Sequence, residues 1–232
     1  MHLDSQDFER RAPIPAAFAM GTPDGFGGNR NPELHWDDVP AGTRSFALLC
    51  IDTDSPTDPA SVANTALPIA VEQPRAEFVH WVMVDIAADL RAIAAGSCSD
   101  GVTARGKRQP PGPRGARQGL NDYTGWFAGD AAMGGDYHGY DGPYPPSNDL
   151  RLHRYFFRLF ALDVELAPWP QELTIEAVDT RARGLRGRRE NEQLAGRQIP
   201  ALGGRADFGG QRGLGQAGVP SRCVQPGCHL AT

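Results

Sequence analysis

At 232 residues and 40% apolar content, the chain can bury the core of one domain, or of one domain plus a tail. Its net charge of −5 is unevenly spread: residues 181–232 carry nine Arg against three acids, which leaves the rest at −11. An acidic body argues against a duplex-binding face, and 22 Arg beside a single Lys reads as coding bias, so no nucleic-acid partner is expected.

The N-terminus holds Asp4, Asp7 and Glu9 and no continuous apolar run, so neither a signal peptide nor a membrane span is expected. Cys50 sits in an apolar run and reads as a buried thiol; Cys223 and Cys228 have no matching second pair. A reduced, cytoplasmic protein without metal or cofactor is the resulting expectation.

Residues 1–28, studded with Pro and Gly, read as an N-terminal extension of loop and extended chain. Short strands and turns follow, with Trp36 as a core anchor. Ser45–Asp54 is predicted as a strand: Phe46, Leu48, Cys50, Asp52 and Asp54 share one face, and Ala47, Leu49 and Ile51 the other. Both faces are apolar, so the strand is central, and two carboxylates close one face at its end. Strand-end acids usually cap a turn, and here Pro56 follows. Ser55–Glu77, with four Pro, is expected to be an inserted loop.

Phe78–Ile86 is the second strand, with His80 aligned with Phe78, Val82, Val84 and Ile86, and with Val79, Trp81 and Met83 opposite. A histidine inside such a strand is most often a hydrogen-bonded core residue. Asp85–Ala95 is expected as a short helix. Ser97–Gly119 reads as a flexible basic loop, and Tyr123, Trp126 and Phe127 as a segment over the site. After the Pro-rich stretch around residues 142–146 comes a third strand, in which Tyr155, Phe157, Leu159 and Ala161 alternate with Phe156, Phe160 and Leu162. A helix is expected beyond Thr174, on the spacing of Ile175, Val178, Ala182 and Leu185. Past Gly196 the composition predicts disorder. The domain is thus bounded at 29–180, with 181–232 as an atypical Arg- and Gly-rich tail.

Four stretches, in order, resemble the phosphatidylethanolamine-binding protein family in its bacterial, Raf-kinase-inhibitor-like branch: NRNPELHWDDVPAGTRSFAL, IDTDSP, FVHWVMVDI and GYDGPYPPSNDLRLHRYFFRLFALD. Thr53 stands where the family usually has Pro, and the family's closing segment is matched only faintly by Glu190, Leu194, Gly196 and Arg197. The resemblance implies a β-rich fold: a central, mostly antiparallel sheet, a second smaller sheet and peripheral helices. It also implies an anion pocket lined by Asp52, Asp54, His80, Gly142, Tyr144, Pro145, His153 and Tyr155. Two imidazoles and a phenol would supply donors, the prolines would stiffen the rim, and an Asp would favour the imidazolium of His80 or His153.

The function so implied is non-catalytic binding of a phosphate-bearing headgroup, nucleotide or phosphorylated side chain. Modulation of a kinase or other partner, and a homodimer, follow by family analogy. A hydrolase using a His/Asp general base is the alternative, against which stands the lack of a Ser or Cys nucleophile in a recognisable elbow. In a third reading both histidines serve only the core.

Overall fold

The computed structural model describes residues 1–165, Leu173, Val178 and the backbone of Asn191–Gln198. Five strands form the large sheet: β5 (Ser45–Pro56), β6 (Arg75–Ala87), β8 (Arg117–Gln118), β9 (His153–Leu162) and β10 (Asn191–Gln198). Their order is β10-β9-β5-β6-β8, antiparallel at every pairing. A smaller sheet joins β1 (His2–Asp4), β4 (Leu34–Asp37) and β7 (Ala92–Ile93) in the order β1-β4-β7, and β2 (Gly21–Thr22) pairs with β3 (Gly25–Phe26). Two short helices, α1 (Pro59–Ala63) and α2 (Tyr123–Trp126), complete the described elements. The β-rich architecture implied by the motifs is therefore what the chain adopts. Among the described residues no helix is long and apolar enough to cross a membrane.

The alternation of β5 and β9 fixes the core. Phe46, Leu48 and Cys50 join Tyr155, Phe157, Leu159 and Ala161 in a cluster closed by Leu3, Leu34, Trp36 and Ile93 of the small sheet. Ala47, Leu49 and Ile51 join Phe160, Leu162, Leu173 and Val178 on the opposite face. The large sheet is buried on both sides, as an apolar run on both faces of a strand requires.

Four expectations are corrected. Residues 1–28 are not a separate extension: β1 pairs with β4, and Leu3, Phe8, Ile14 and Phe18 are core residues. Their apolar side chains are irregularly spaced, so no period betrayed them. Asp85–Ala95 is no helix; Asp85–Ala87 ends β6, and Ala92–Ile93 pairs with β4. The 55–77 loop contains α1, capped by the Asp58 carboxylate, and ends three residues early where β6 begins. Finally, Asn191–Gln198, placed in the tail, pairs in register with β9 from Phe160 to His153, so order extends past Gly196 to Gln198. The helix expected over 174–185, apart from helical Val178, and the remainder of the tail with Cys223 and Cys228 lie outside the described residues.

Candidate functional site

The pocket grows out of an irregularity in β6. Cys50 pairs with Trp81 and the next residue, Ile51, pairs with Val79, so His80 is the extra residue of a bulge. Strict alternation put His80 on the face of Val82 and Val84. The bulge instead sends Val79, Val82 and Val84 to one face and frees His80 to pack against Tyr123 and Tyr155, with ring centroids 5.5 and 5.1 Å away. Directly across the sheet, Tyr155, Asp52 and Phe78 stand in one register row. Asp52, Phe78, His80, His153 and Tyr155 thus line a small cavity with Ser55, Tyr123 and Trp126, under a rim of Tyr144, Pro145 and Pro146.

The rim is held by backbone. Pro143 accepts hydrogen bonds from the N–H groups of Met20 and Gly21 at 3.0 and 3.1 Å. The Gly142 N–H donates to Asn29 Oδ1 at 2.8 Å, and its carbonyl accepts from the Tyr123 hydroxyl at 2.7 Å. Gly142 lies so close to Phe18 that an added Cβ would stand 2.0 Å from the Phe18 carbonyl oxygen. Gly142 therefore shapes the rim from beneath.

His153 is committed. Its Nδ1 bonds Asp52 Oδ2 at 2.6 Å and its Nε2 bonds Asp149 Oδ2 at 3.0 Å. Arg75, its side chain only 6% exposed, grips Asp149 through both terminal nitrogens. Burial alone would lower the pKa of His153, but Asp149 and Asp52 outweigh it and push it up to about 9. The alternating series Arg75, Asp149, His153, Asp52 is charge-balanced, and neither His153 nitrogen is left to donate to a ligand. The expectation of two donor imidazoles is corrected accordingly.

His80 differs. Its Nδ1 lies 2.7 Å from the Asp141 carbonyl, which can only accept, so Nδ1 carries the proton. Burial lowers its pKa against the pull of Asp52 and Asp141, so the ring is neutral at pH 7 and Nε2 is a bare acceptor. Nε2 is buried and has no partner among the described residues, and neither has the Tyr155 hydroxyl. That hydroxyl feels the Asp52 charge, and burial first, then Asp52, raises its pKa well above the usual phenol value. It nevertheless makes no hydrogen bond of good geometry to Asp52.

Asp54 is turned out of the pocket. A register shift between Asp52 and Ser55 breaks the alternation that aligned the two acids. Asp54 is instead clasped by Arg154 (Nε to Oδ2 2.8 Å, Nη2 to Oδ1 2.9 Å) and by Arg151 at 2.8 Å. Burial would raise its pKa; the arginines hold it below the ordinary carboxylate value. Of the eight expected site residues, the structure brings Asp52, His80, Tyr144, Pro145, His153 and Tyr155 to the cavity. Sequence reasoning missed Asp149, whose signal was its place four residues before His153. It also missed Phe78, two residues before His80 on the strand.

This fold defines a β-sandwich protein with a small cavity at one end of its large sheet. The family model described as phosphatidylethanolamine-binding protein matches residues 4–190, and the chain belongs to that family. It is 32% identical over 165 residues to the UPF0098 protein YbhB of Escherichia coli K12, covering 71% of this chain and 80% of that protein. It is 31% identical over 182 residues to a UPF0098 protein of Methanothermobacter thermautotrophicus, covering 77% and 89%. The crystal structure of E. coli YbcL superposes with a TM-score of 0.62 at 22% identity, over 85% of this chain and 97% of that one, and so shares the fold.

Proposed function

We propose that the chain is a non-catalytic binding protein whose pocket takes a phosphate-bearing ligand in a singly protonated form. The observation that supports this is the pair of buried, unpartnered polar groups on the pocket wall, His80 Nε2 and the Tyr155 hydroxyl. Leaving such groups unsatisfied costs about 1–3 kcal/mol each. A phosphate monoester monoanion offsets both: its P–OH donates to Nε2, and a second oxygen accepts from Tyr155. Asp52 beside them repels a dianion, while the balanced chain back to Arg75 leaves the pocket without net charge for a monoanion to meet.

The cavity is small, so only the terminal phosphoryl group enters. The remainder of the ligand, whether headgroup, nucleotide or phosphorylated side chain, rests on Tyr144, Pro145 and Pro146 at the rim. A phosphorylated side chain would bring a protein partner, such as a kinase, to this face. Affinity then falls as pH rises, because the second phosphate proton leaves near pH 6. Calorimetric titration with phosphoethanolamine and with inorganic phosphate from pH 5.5 to 8.5 tests this: falling affinity with proton uptake supports it, and a flat profile refutes it. Turnover of a phosphoester that His80→Ala abolishes would establish the hydrolase alternative instead.

A further inference from the structure

We infer that Lys107 is a positioning residue for the pocket: its ion pair with Asp141 holds the backbone that makes His80 present Nε2 to the ligand as an acceptor. Lys107 comes from the basic loop between β7 and β8, far from the pocket in sequence, and does not line it. Its side chain is only 10% exposed, and Nζ lies 2.6 Å from Asp141 Oδ1. Asn29 donates to the same oxygen at 2.7 Å, and Asn121 to Asp141 Oδ2 at 2.9 Å. The Asp141 carboxylate is thus fixed from three separate segments of the chain.

That fixed residue is tied to His80 twice through its backbone. The Asp141 N–H donates to the His80 carbonyl at 3.0 Å, and the His80 Nδ1–H donates to the Asp141 carbonyl at 2.7 Å. The tautomer of His80 is therefore set by where Asp141 stands. Its charge state is set by what surrounds it: Asp52 from β5, His153 and Tyr155 from β9, Tyr123 from α2, and Asp141 beneath. Asp52 and Asp141 both favour an imidazolium. Lys107, 2.6 Å from that carboxylate, opposes the Asp141 share, so the acceptor form leans on an amine outside the pocket. A loop that reads as flexible and basic is in this way coupled to the ligand site.

The test is histidine-ring nitrogen NMR on the full chain with calorimetry using inorganic phosphate. In the wild type His80 is expected as the Nδ1–H tautomer; an Nε2–H tautomer overturns the inference whatever the variants do. Lys107→Met is expected to raise the His80 titration midpoint by about one pH unit. Asp141→Asn, which leaves the lysine uncompensated, lowers it. The double variant returns toward the wild-type midpoint, and Lys107→Arg keeps it. Midpoints that do not move, or that move in the same direction in both single variants, overturn the inference, because a lysine that merely orders the loop has no reason to shift them in opposite senses. Should Lys107→Met fail to fold, Asp141→Asn against the double variant reads the same difference. The phosphate arm alone rests on the proposed function. Midpoints that shift while phosphate fails to bind keep the role of Lys107 and sink the phosphate reading; phosphate binding with an unmoved His80 does the reverse.

Discussion

His80 and His153 stand on one cavity and serve opposite ends. His153 is sealed between two carboxylates and holds Asp52 in place, while His80 keeps one nitrogen for whatever enters. Tyr155 sharpens the contrast, because its hydroxyl is buried beside Asp52 without a well-formed hydrogen bond. Tyr155→Phe removes that group and leaves the ring packing. We expect phosphate affinity to fall about 10-fold, while stability stays level or rises by up to about 1 kcal/mol, since a buried unsatisfied hydroxyl is lost. Calorimetry beside urea unfolding of the same variant checks both halves. A Tyr155→Phe protein that is destabilised and binds phosphate normally would give the hydroxyl a structural role instead.

At the scale of elements, the site depends on two departures from regular structure. The bulge in β6 turns one residue of an otherwise buried strand toward the cavity, and the 142–146 rim is clamped from below by residues 18–29. The rim therefore tolerates little added volume. Gly142→Ala drives a methyl into the Phe18 carbonyl, at 2.0 Å, and is expected to cost about 1–3 kcal/mol and to weaken phosphate binding through displaced rim atoms. Gly125→Ala is the control: nothing lies within 4 Å of its Cβ, and a Gly in helix α2 is expected to gain about 0.4–1 kcal/mol on substitution. Urea midpoints of the two variants should move in opposite directions.

Across the whole molecule, the buried charges set how stability depends on pH. The folded pKa of His153, about 9, lies above its unfolded value near 6.5, so its contribution is complete below pH 6.5 and is lost as pH rises through about 9. That loss is on the order of 3 kcal/mol. His80 runs the other way: its folded pKa is lowered, so its contribution is present above pH 6.5 and fades as pH falls below that. Asp54 and Asp149, both held below the ordinary carboxylate value, lose their contributions at still lower pH. Chemical unfolding from pH 4 to 10 should thus give a maximum near pH 6–7. His153→Gln should flatten the alkaline limb, and an unchanged limb would mean that another group controls it.

Much of this was legible in the chain. Apolar residues on both faces of β5 and β6 marked two strands as buried on both sides, and the Gly-Pro-rich run before His153 marked the rim, because strand periodicity and proline chemistry are local properties. The side chains able to do chemistry, Asp52, His80, His153 and Tyr155, were also visible as residue types. Folding alone decided how each is used. Whether an imidazole is spent or spare depends on partners such as Asp149, Arg75 and Asp141, and in water all of them would be solvated alike. Two register shifts, one turning His80 toward the pocket and one turning Asp54 to its arginines, arise from pairing between strands. No period within a single strand encodes that pairing, and desolvation, which gives each buried partner its weight, exists only once the sheets have closed.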